Sequence, residues 1–225
     1  MSSSPVLASL ESVNLSLQSD AGLVHILKDI TLDLPEGKTV SITGPSGSGK
    51  TTLLMILSGL EKPSSGKVLV AGADLVAQDE DALAAFRRDN IGIVFQNFHL
   101  IPTMTALENV AIPLEFAKVK NAFQKAEAAL TAVGLKDRTR HYPGQLSGGE
   151  QQRVAVARAF VTGPRLILAD EPTGNLDAET GEKVMSALFD LTRRQGTTLV
   201  LVTHDGTLAA RCDVSVKIRD GKIIA

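Results

Sequence analysis

The chain has 225 residues, 44% of them hydrophobic, enough for one large mixed domain with a buried core. Its formal charge of −2 (23 basic against 25 acidic residues) and its 4% aromatics without tryptophan leave no basic excess and few stacking platforms, so nucleic acid is not an expected partner. A single cysteine, Cys212, excludes an internal disulfide and reads as a packing residue in a reducing compartment rather than a catalytic thiol.

The start, Met1-Ser2-Ser3-Ser4-Pro5, reads as a loose tail without the pattern of a signal peptide. Alternation over 6–17, with Val13, Leu15 and Leu17 on one side, predicts a strand. Residues 24–34, with Ile26, Ile30, Leu32 and Leu34 apolar, predict its hairpin partner across a turn at Asp20-Ala21-Gly22. Pro35-Glu36-Gly37 turns the chain into an apolar strand at 39–43, a glycine-rich loop follows, and 52–57 reads as the first turns of a helix. A short strand is expected at 67–71. Asp79 reads as the cap of a helix with Leu83 and Phe86 inward and Arg87 and Arg88 at its C-terminal end. Residues 91–95 form another expected strand, ending on Gln96.

From about 97 to 161 the pattern turns helical and reads as a helical subdomain inserted into an α/β core. One helix covers 105–116, interrupted at Pro113. A second carries Phe123, Ala126, Leu130 and Val133 and stops at Gly134, and a third runs over 147–161 with Val154, Ala157 and Val161 on one face. A buried strand at 165–169 then ends in Asp170-Glu171. A helix over 179–194 turns Val184, Leu188 and Leu191 inward, a strand at 197–202 leads to His204, and 214–218 with 222–224 close a hairpin across Asp220-Gly221. The fold class is α/β, with a mainly parallel sheet whose ligand sites lie at the strand carboxyl ends and an N-terminal antiparallel β region. No stretch approaches the ~20 apolar residues of a membrane span, so action at a membrane would need a partner that crosses it.

Three stretches carry chemistry. Gly44-Pro45-Ser46-Gly47-Ser48-Gly49-Lys50-Thr51, followed by Thr52, fits the phosphate-loop template G-x-x-x-x-G-K-[ST] between a strand and a helix. Small residues let backbone N–H groups close around phosphate oxygens, Lys50 reaches the β- and γ-phosphates, and the Thr51 hydroxyl sits on Mg²⁺. Asp170 and Glu171 at a strand end suit a Mg²⁺-holding carboxylate and a neighbour that polarises water, against the alternative of an ordinary acidic strand end. Leu146-Ser147-Gly148-Gly149-Glu150-Gln151-Gln152-Arg153 reads as a second anion site at a helix start. Its alternative is a plain cap, since Glu150 stands at capping-box spacing, but a cap does not need two glycines.

Taken together, these motifs resemble those of the ATP-binding subunits of ATP-binding-cassette (ABC) transporters, in order and over nearly the whole chain. The resemblance implies a P-loop NTPase core and makes the chain a single such domain over 1–225. It implies that Gly44, Pro45, Ser46, Gly47, Ser48, Gly49, Lys50, Thr51 and Thr52 bind ATP, and that Ser147, Gly148 and Gly149 form the signature motif that meets the γ-phosphate held by a second copy. Gln96 would be the glutamine touching Mg²⁺ and the attacking water, Asp170 the Mg²⁺ aspartate beside Thr51 and Gln96, Glu171 the catalytic carboxylate, and His204 the switch histidine. Gly174-Asn175-Leu176-Asp177 resembles the D-loop. Standing alone, Gln96 and His204 would read as ordinary strand-end residues, and His25, His99 and His141 keep a structural or surface reading.

Glu150 stands where many members have glutamine, and with the stretches 101–110 and 170–177 this is similar to the MacB/LolD/FtsE branch; Leu208-Ala209-Ala210-Arg211-Cys212-Asp213 makes YbbA-type ATPases the nearest resemblance. That implies ATP and Mg²⁺ as cofactors, homodimerisation around two ATP molecules, and an integral membrane permease with an extracytoplasmic domain as partner. Membrane association runs through that partner only, on the cytoplasmic face of the inner membrane. The implied function is export or mechanotransmission of a lipid, lipoprotein or similar envelope substrate. The alternative is a regulatory ATPase of envelope remodelling or division with no transported substrate. One departure stands out: the family commonly places an aromatic residue near the end of the first strand to stack on adenine, and Leu17 falls there.

Overall fold

The structure, a computed structural model, describes residues 5–19 and 22–224. In chain order its elements are β1 (Val6–Ser19), β2 (Gly22–Pro35), β3 (Thr39–Thr43), α1 (Lys50–Leu57), β4 (Ser65–Val70), β5 (Ala73–Asp74), α2 (Glu80–Asn90) and β6 (Ile91–Val94). There follow α3 (Ala106–Phe116), α4 (Ala122–Ala132), α5 (Gly148–Phe160), β7 (Leu166–Asp170), α6 (Ala178–Gln195), β8 (Thr198–Val202), α7 (Gly206–Ala209), β9 (Val214–Arg219) and β10 (Lys222–Ile224). The chain falls into two compact units, Met1–Arg87 with Thr198–Ala225, and Arg88–Thr197.

In the first unit, β2, β1, β4 and β5 make an antiparallel sheet, and β3 lies between β8 and β9, parallel to both. Parallel strands covered on both faces need continuous apolar runs, and Val40, Ile42 and Leu199 to Val202 are fully buried. Asp213 fixes the register of β9 by accepting from the Thr39 N–H (2.8 Å) and hydroxyl (3.0 Å). β9 returns into β10 through Asp220 and Gly221, both left-handed, as a two-residue hairpin turn requires.

In the second unit, β6 and β7 pair in parallel, with Gly92 opposite Ile167. Helix α5 packs against α3, α4 and α6. Its face towards β6 comes so close that a Cβ at Gly92 would strike the Ala159 carbonyl oxygen.

Several expectations need correction. Leu17 does not share the buried side of Val13 and Leu15 but is 43% exposed. Register shifts between Leu10 and Ser16 break the period-two alternation on which that reading rested. Pro113 does not interrupt α3: the ring costs one backbone hydrogen bond, and only three residues follow before the cap, where the Ala117 N–H donates to the Pro113 carbonyl. Phe123 is exposed, because the buried stripe of α4 runs through Ala122, Ala126 and Leu130. The short α7 and β5 were not anticipated. Asp20 and Ala21 of the expected turn, and residues 1–4 of the expected tail, lie outside the described residues.

Replacing Gly92 by alanine is expected to lower stability by about 1–3 kcal/mol through overpacking. Gly144→Ala, with open space around its Cβ position, serves as the neutral control. Denaturant titration checks both, and equal midpoints for Gly92→Ala and wild type would contradict the close approach.

Candidate functional site

The loop 44–49 of the first unit is built by three left-handed glycines, Gly44, Gly47 and Gly49, at φ 151°, 75° and 100°. Two of them are also sterically confined. A Cβ on Gly44 would strike the Ile218 carbonyl oxygen, and one on Gly49 would lie 2.7 Å from Leu27 Cδ2. The loop thus sits on β2 and β9, and the Gly221 N–H pins it from the β9–β10 turn by donating to the Ser48 carbonyl (3.2 Å). Gly49 caps α1 without any side-chain hydrogen bond, so the positive end of the helix dipole faces the loop uncovered.

The Lys50 ammonium folds back over this loop, donating to the carbonyls of Gly44 (3.0 Å) and Pro45 (2.9 Å). Neutral carbonyls are weaker acceptors than phosphate oxygens, so an arriving triphosphate competes well for that ammonium. Pro45 and Ser46 line the open side of the loop, while Ser48 is buried with a hydroxyl that has no partner among the described residues. Thr51 is exposed and Thr52 half-buried in the first turn of α1. In the same unit, β8 ends just before the exposed His204. Asp205 then caps α7, and its carboxyl is held below its ordinary range chiefly by the Thr207 hydroxyl.

In the second unit, β6 delivers Gln96 and β7 delivers Asp170 and Glu171, all half-buried. Glu171 adopts φ 43°, a left-handed conformation that a non-glycine residue holds only where its surroundings enforce it. Gln96 Nε2 donates to Asn175 Oδ1 (3.1 Å), and Asn175 Nδ2 donates to Asn97 Oδ1 (2.9 Å), tying the end of β6 to the segment after β7. Asp177, in the stretch resembling a D-loop, caps α6 by accepting from the Thr180 N–H (3.0 Å).

Ser147 is the N-cap of α5 in a complete capping box. Its hydroxyl accepts from the Glu150 N–H (3.3 Å), and Glu150 Oε2 accepts from the Ser147 N–H (2.8 Å). Gly149 also has a packing reason, because a Cβ there would collide with Thr180 Cγ2. Arg138 Nε donates to Glu150 Oε1 (2.9 Å). The Ser147 backbone N–H, then Arg138, hold the Glu150 carboxyl below its ordinary value of 4.5.

Sequence reading missed three side chains that shape these loops. Gln152, fully buried on α5, donates through Nε2 to the carbonyls of Phe95 (3.1 Å) and Pro172 (2.7 Å). Arg158, its charge disfavoured by burial, donates to the carbonyls of His99 (2.6 Å) and Phe98 (2.8 Å), two successive left-handed residues. Asn109 gathers the carbonyls of Ile101, Met104 and Thr105. The available signal was a polar residue on the buried face of a helix: Gln152 lies one turn before Val156.

No group of three or more His, Cys, Asp or Glu among the described residues could hold a metal by itself. The Thr51 hydroxyl of the first unit and the Asp170 carboxylate of the second are each hard oxygen donors of the kind that Mg²⁺ takes alongside substrate phosphates, so each by its chemistry suits that ion. Among the described residues no helix is long and apolar enough to cross a membrane.

Comparison with known proteins identifies the family. A family model described as ABC transporter matches residues 27–174. An uncharacterized ABC transporter ATP-binding protein of Mycobacterium tuberculosis is 48% identical over 202 residues, covering 89% of this chain and 82% of that protein. The macrolide export ATP-binding/permease protein MacB of Escherichia coli is 46% identical over 97% of this chain, which spans 34% of its length. Among solved structures, the dimeric post-hydrolysis state of the ATP-binding cassette MJ0796, bound to ADP and Pi, superposes with a TM-score of 0.90 at 42% identity and covers 97% of each chain. CbiO1 from Clostridium perfringens, part of the transporter complex cbiONQ, superposes with a TM-score of 0.86 at 27% identity, covering 98% of this chain and 87% of its own.

The capping box yields a pH test. Because the folded carboxyl of Glu150 titrates below 4.5, its contribution to stability is complete above that value and is lost as pH falls through the folded value. Glu150→Gln keeps the acceptor geometry but removes the charge facing Arg138. A loss of about 0.5 kcal/mol is expected at neutral pH, shrinking as the pH falls below 4.5 through the folded carboxyl's lowered range. Thermal unfolding of both proteins across that range checks it, and a pH-independent difference would contradict the assignment.

Proposed function

Because this chain belongs to the ABC transporter family, as one of its ATP-binding cassettes, we propose that it drives a membrane permease by nucleotide-dependent dimerisation. It is an ATPase. The observation that supports the reading most strongly is the preformed phosphate loop, with Lys50 already held at its mouth. The two cassettes of the MJ0796 structure, bound to ADP and Pi, support a closed dimer as the working state.

In the proposed cycle Lys50 leaves the Gly44 and Pro45 carbonyls and takes the β- and γ-phosphates, while the glycine-turned backbone of 44–49 and the head of α1 bind the remaining oxygens. Mg²⁺, for which Thr51, Gln96 and Asp170 are the proposed protein ligands, would supply charge neutralisation at the phosphates. Glu171 accepts a proton from the attacking water, which Gln96 orients, and His204 contacts the γ-phosphate. Ser147, Gly148 and Gly149 of a second copy complete each site, so two ATP molecules are enclosed head to tail. Hydrolysis then reopens the pair. Electrostatics and positioning supply most of the rate.

The segment 97–102 after Gln96, within the helical stretch 97–161, is proposed to meet the permease and couple phosphate state to it. We place the chain on the cytoplasmic face of the inner membrane, peripheral, with a permease that bears an extracytoplasmic domain. The likeness to the ATP-binding part of a macrolide export protein supports outward movement; the substrate we propose is a lipid, lipoprotein or similar envelope component, moved or acted on by mechanical transmission. The exposed Leu17 offers adenine an aliphatic contact in place of an aromatic one.

Glu171→Gln is expected to keep ATP affinity, to slow turnover by about 10²-fold or more and to accumulate ATP-bound dimer. Lys50→Ala is expected to weaken ATP binding. Steady-state ATPase assays, nucleotide titration and sedimentation check these outcomes. Wild-type turnover in Glu171→Gln would overturn its role as proton acceptor, and unchanged affinity in Lys50→Ala would overturn its role at the phosphates.

A further inference from the structure

We propose that Gln152 is a positioning residue for hydrolysis: its carboxamide clamps together the two loops that carry Gln96 and Glu171, and so ties both to the helix that begins at Ser147. The inference rests on the roles proposed above for Gln96 and Glu171.

The geometry is specific. The Phe95 carbonyl immediately precedes Gln96, and the Pro172 carbonyl immediately follows Glu171; Gln152 Nε2 donates to both, at 3.1 and 2.7 Å. Because both partners are acceptors only, the NH₂ end must face them, and the amide has one allowed orientation. Its Oε1 is buried without a partner among the described residues. An apolar side chain of similar shape would avoid that cost, so the two donated bonds are what this position gains from glutamine.

A second bridge lies nearer the surface, where Asn175 accepts from Gln96 Nε2 and donates to Asn97 Oδ1. Gly174 leaves room for it, since a Cβ there would come within 2.7 Å of Gln96 Nε2. Between the two bridges Gln96 is fixed from both sides, and the left-handed Glu171 is followed by a residue whose carbonyl is pinned. Ser147 and Gln152 belong to one capped helix, so a displacement of its first turn moves the Gln152 amide and both loops with it. Nucleotide engaged at Ser147 in one direction is thereby reported to the hydrolytic side chains that serve the other site.

The test uses the purified full chain. Gln152→Met keeps length and removes both donors. Its kcat for ATP is expected to fall about ten- to a hundredfold, as misplacement of reacting groups does, while ATP affinity measured by fluorescence titration stays at the wild-type value. Asn175→Leu, at an exposed position, is expected to lower kcat several-fold, again without loss of affinity. Wild-type kcat in a cooperatively folding Gln152→Met protein overturns the proposal, as does a loss of affinity with kcat retained. If Gln152→Met does not fold, Asn175→Leu decides, and unchanged kcat there overturns the clamp. Glu171→Gln is assayed in parallel. Normal turnover in it removes the underlying reading, whereas arrest in Glu171→Gln with full activity in both clamp variants removes the clamp alone.

Discussion

A backbone that must turn tightly over six residues, from Gly44 to Gly49, is the constraint on which the first unit depends. L-residues rarely hold the left-handed conformations of Gly44, Gly47 and Gly49, and a side chain at Gly44 or Gly49 would also collide with β9 or β2. The Asp213–Thr39 lock, the parallel placement of β3 between β8 and β9, and the Gly221 contact to Ser48 all hold the walls of that turn. Lys50 then rests its charge on carbonyls of the same loop, a position from which phosphate oxygens can claim it.

The second unit solves a different problem, that of holding strained loops at strand ends. Glu171, Phe98 and His99 are left-handed without being glycine, each at a cost on the order of 1–3 kcal/mol. Polar side chains reaching from helices offset that cost: Arg158 grips the carbonyls of Phe98 and His99, and Gln152 grips those beside Gln96 and Glu171. The Gln152–Pro172 bond is buried, where a hydrogen bond is stronger than in water and losing it is expensive. Gln96 and Glu171 are therefore placed by helix α5 as well as by the strands that deliver them.

Much of this was legible in the sequence because it is local. The phosphate loop is a contiguous pattern, β3 and β7 are short apolar runs, and the cap at Asp79 and the hairpin turn at Asp220-Gly221 follow from neighbouring residues. Leu17 was misplaced because bulges in the β1–β2 pairing reset which face a side chain takes, and nothing in the alternation marks a bulge. Phe123 was misplaced because the stripe of α4 starts one residue earlier. Gln152 and Asn109 were passed over because a polar residue on a helix reads as solvent-facing until the acceptors it meets, distant in sequence for Gln152, are known.

The central claim is that two copies close head to tail around ATP, bringing the phosphate loop of one to the Ser147 end of α5 of the other. The single cysteine makes this directly measurable: with Cys212→Ser as background, Ser46→Cys and Ser147→Cys are introduced together with Glu171→Gln. The account predicts an intermolecular disulfide that forms rapidly with ATP and Mg²⁺ and slowly without nucleotide. Cross-linking that ignores ATP, or none at all in protein shown to have ATP bound, would contradict it.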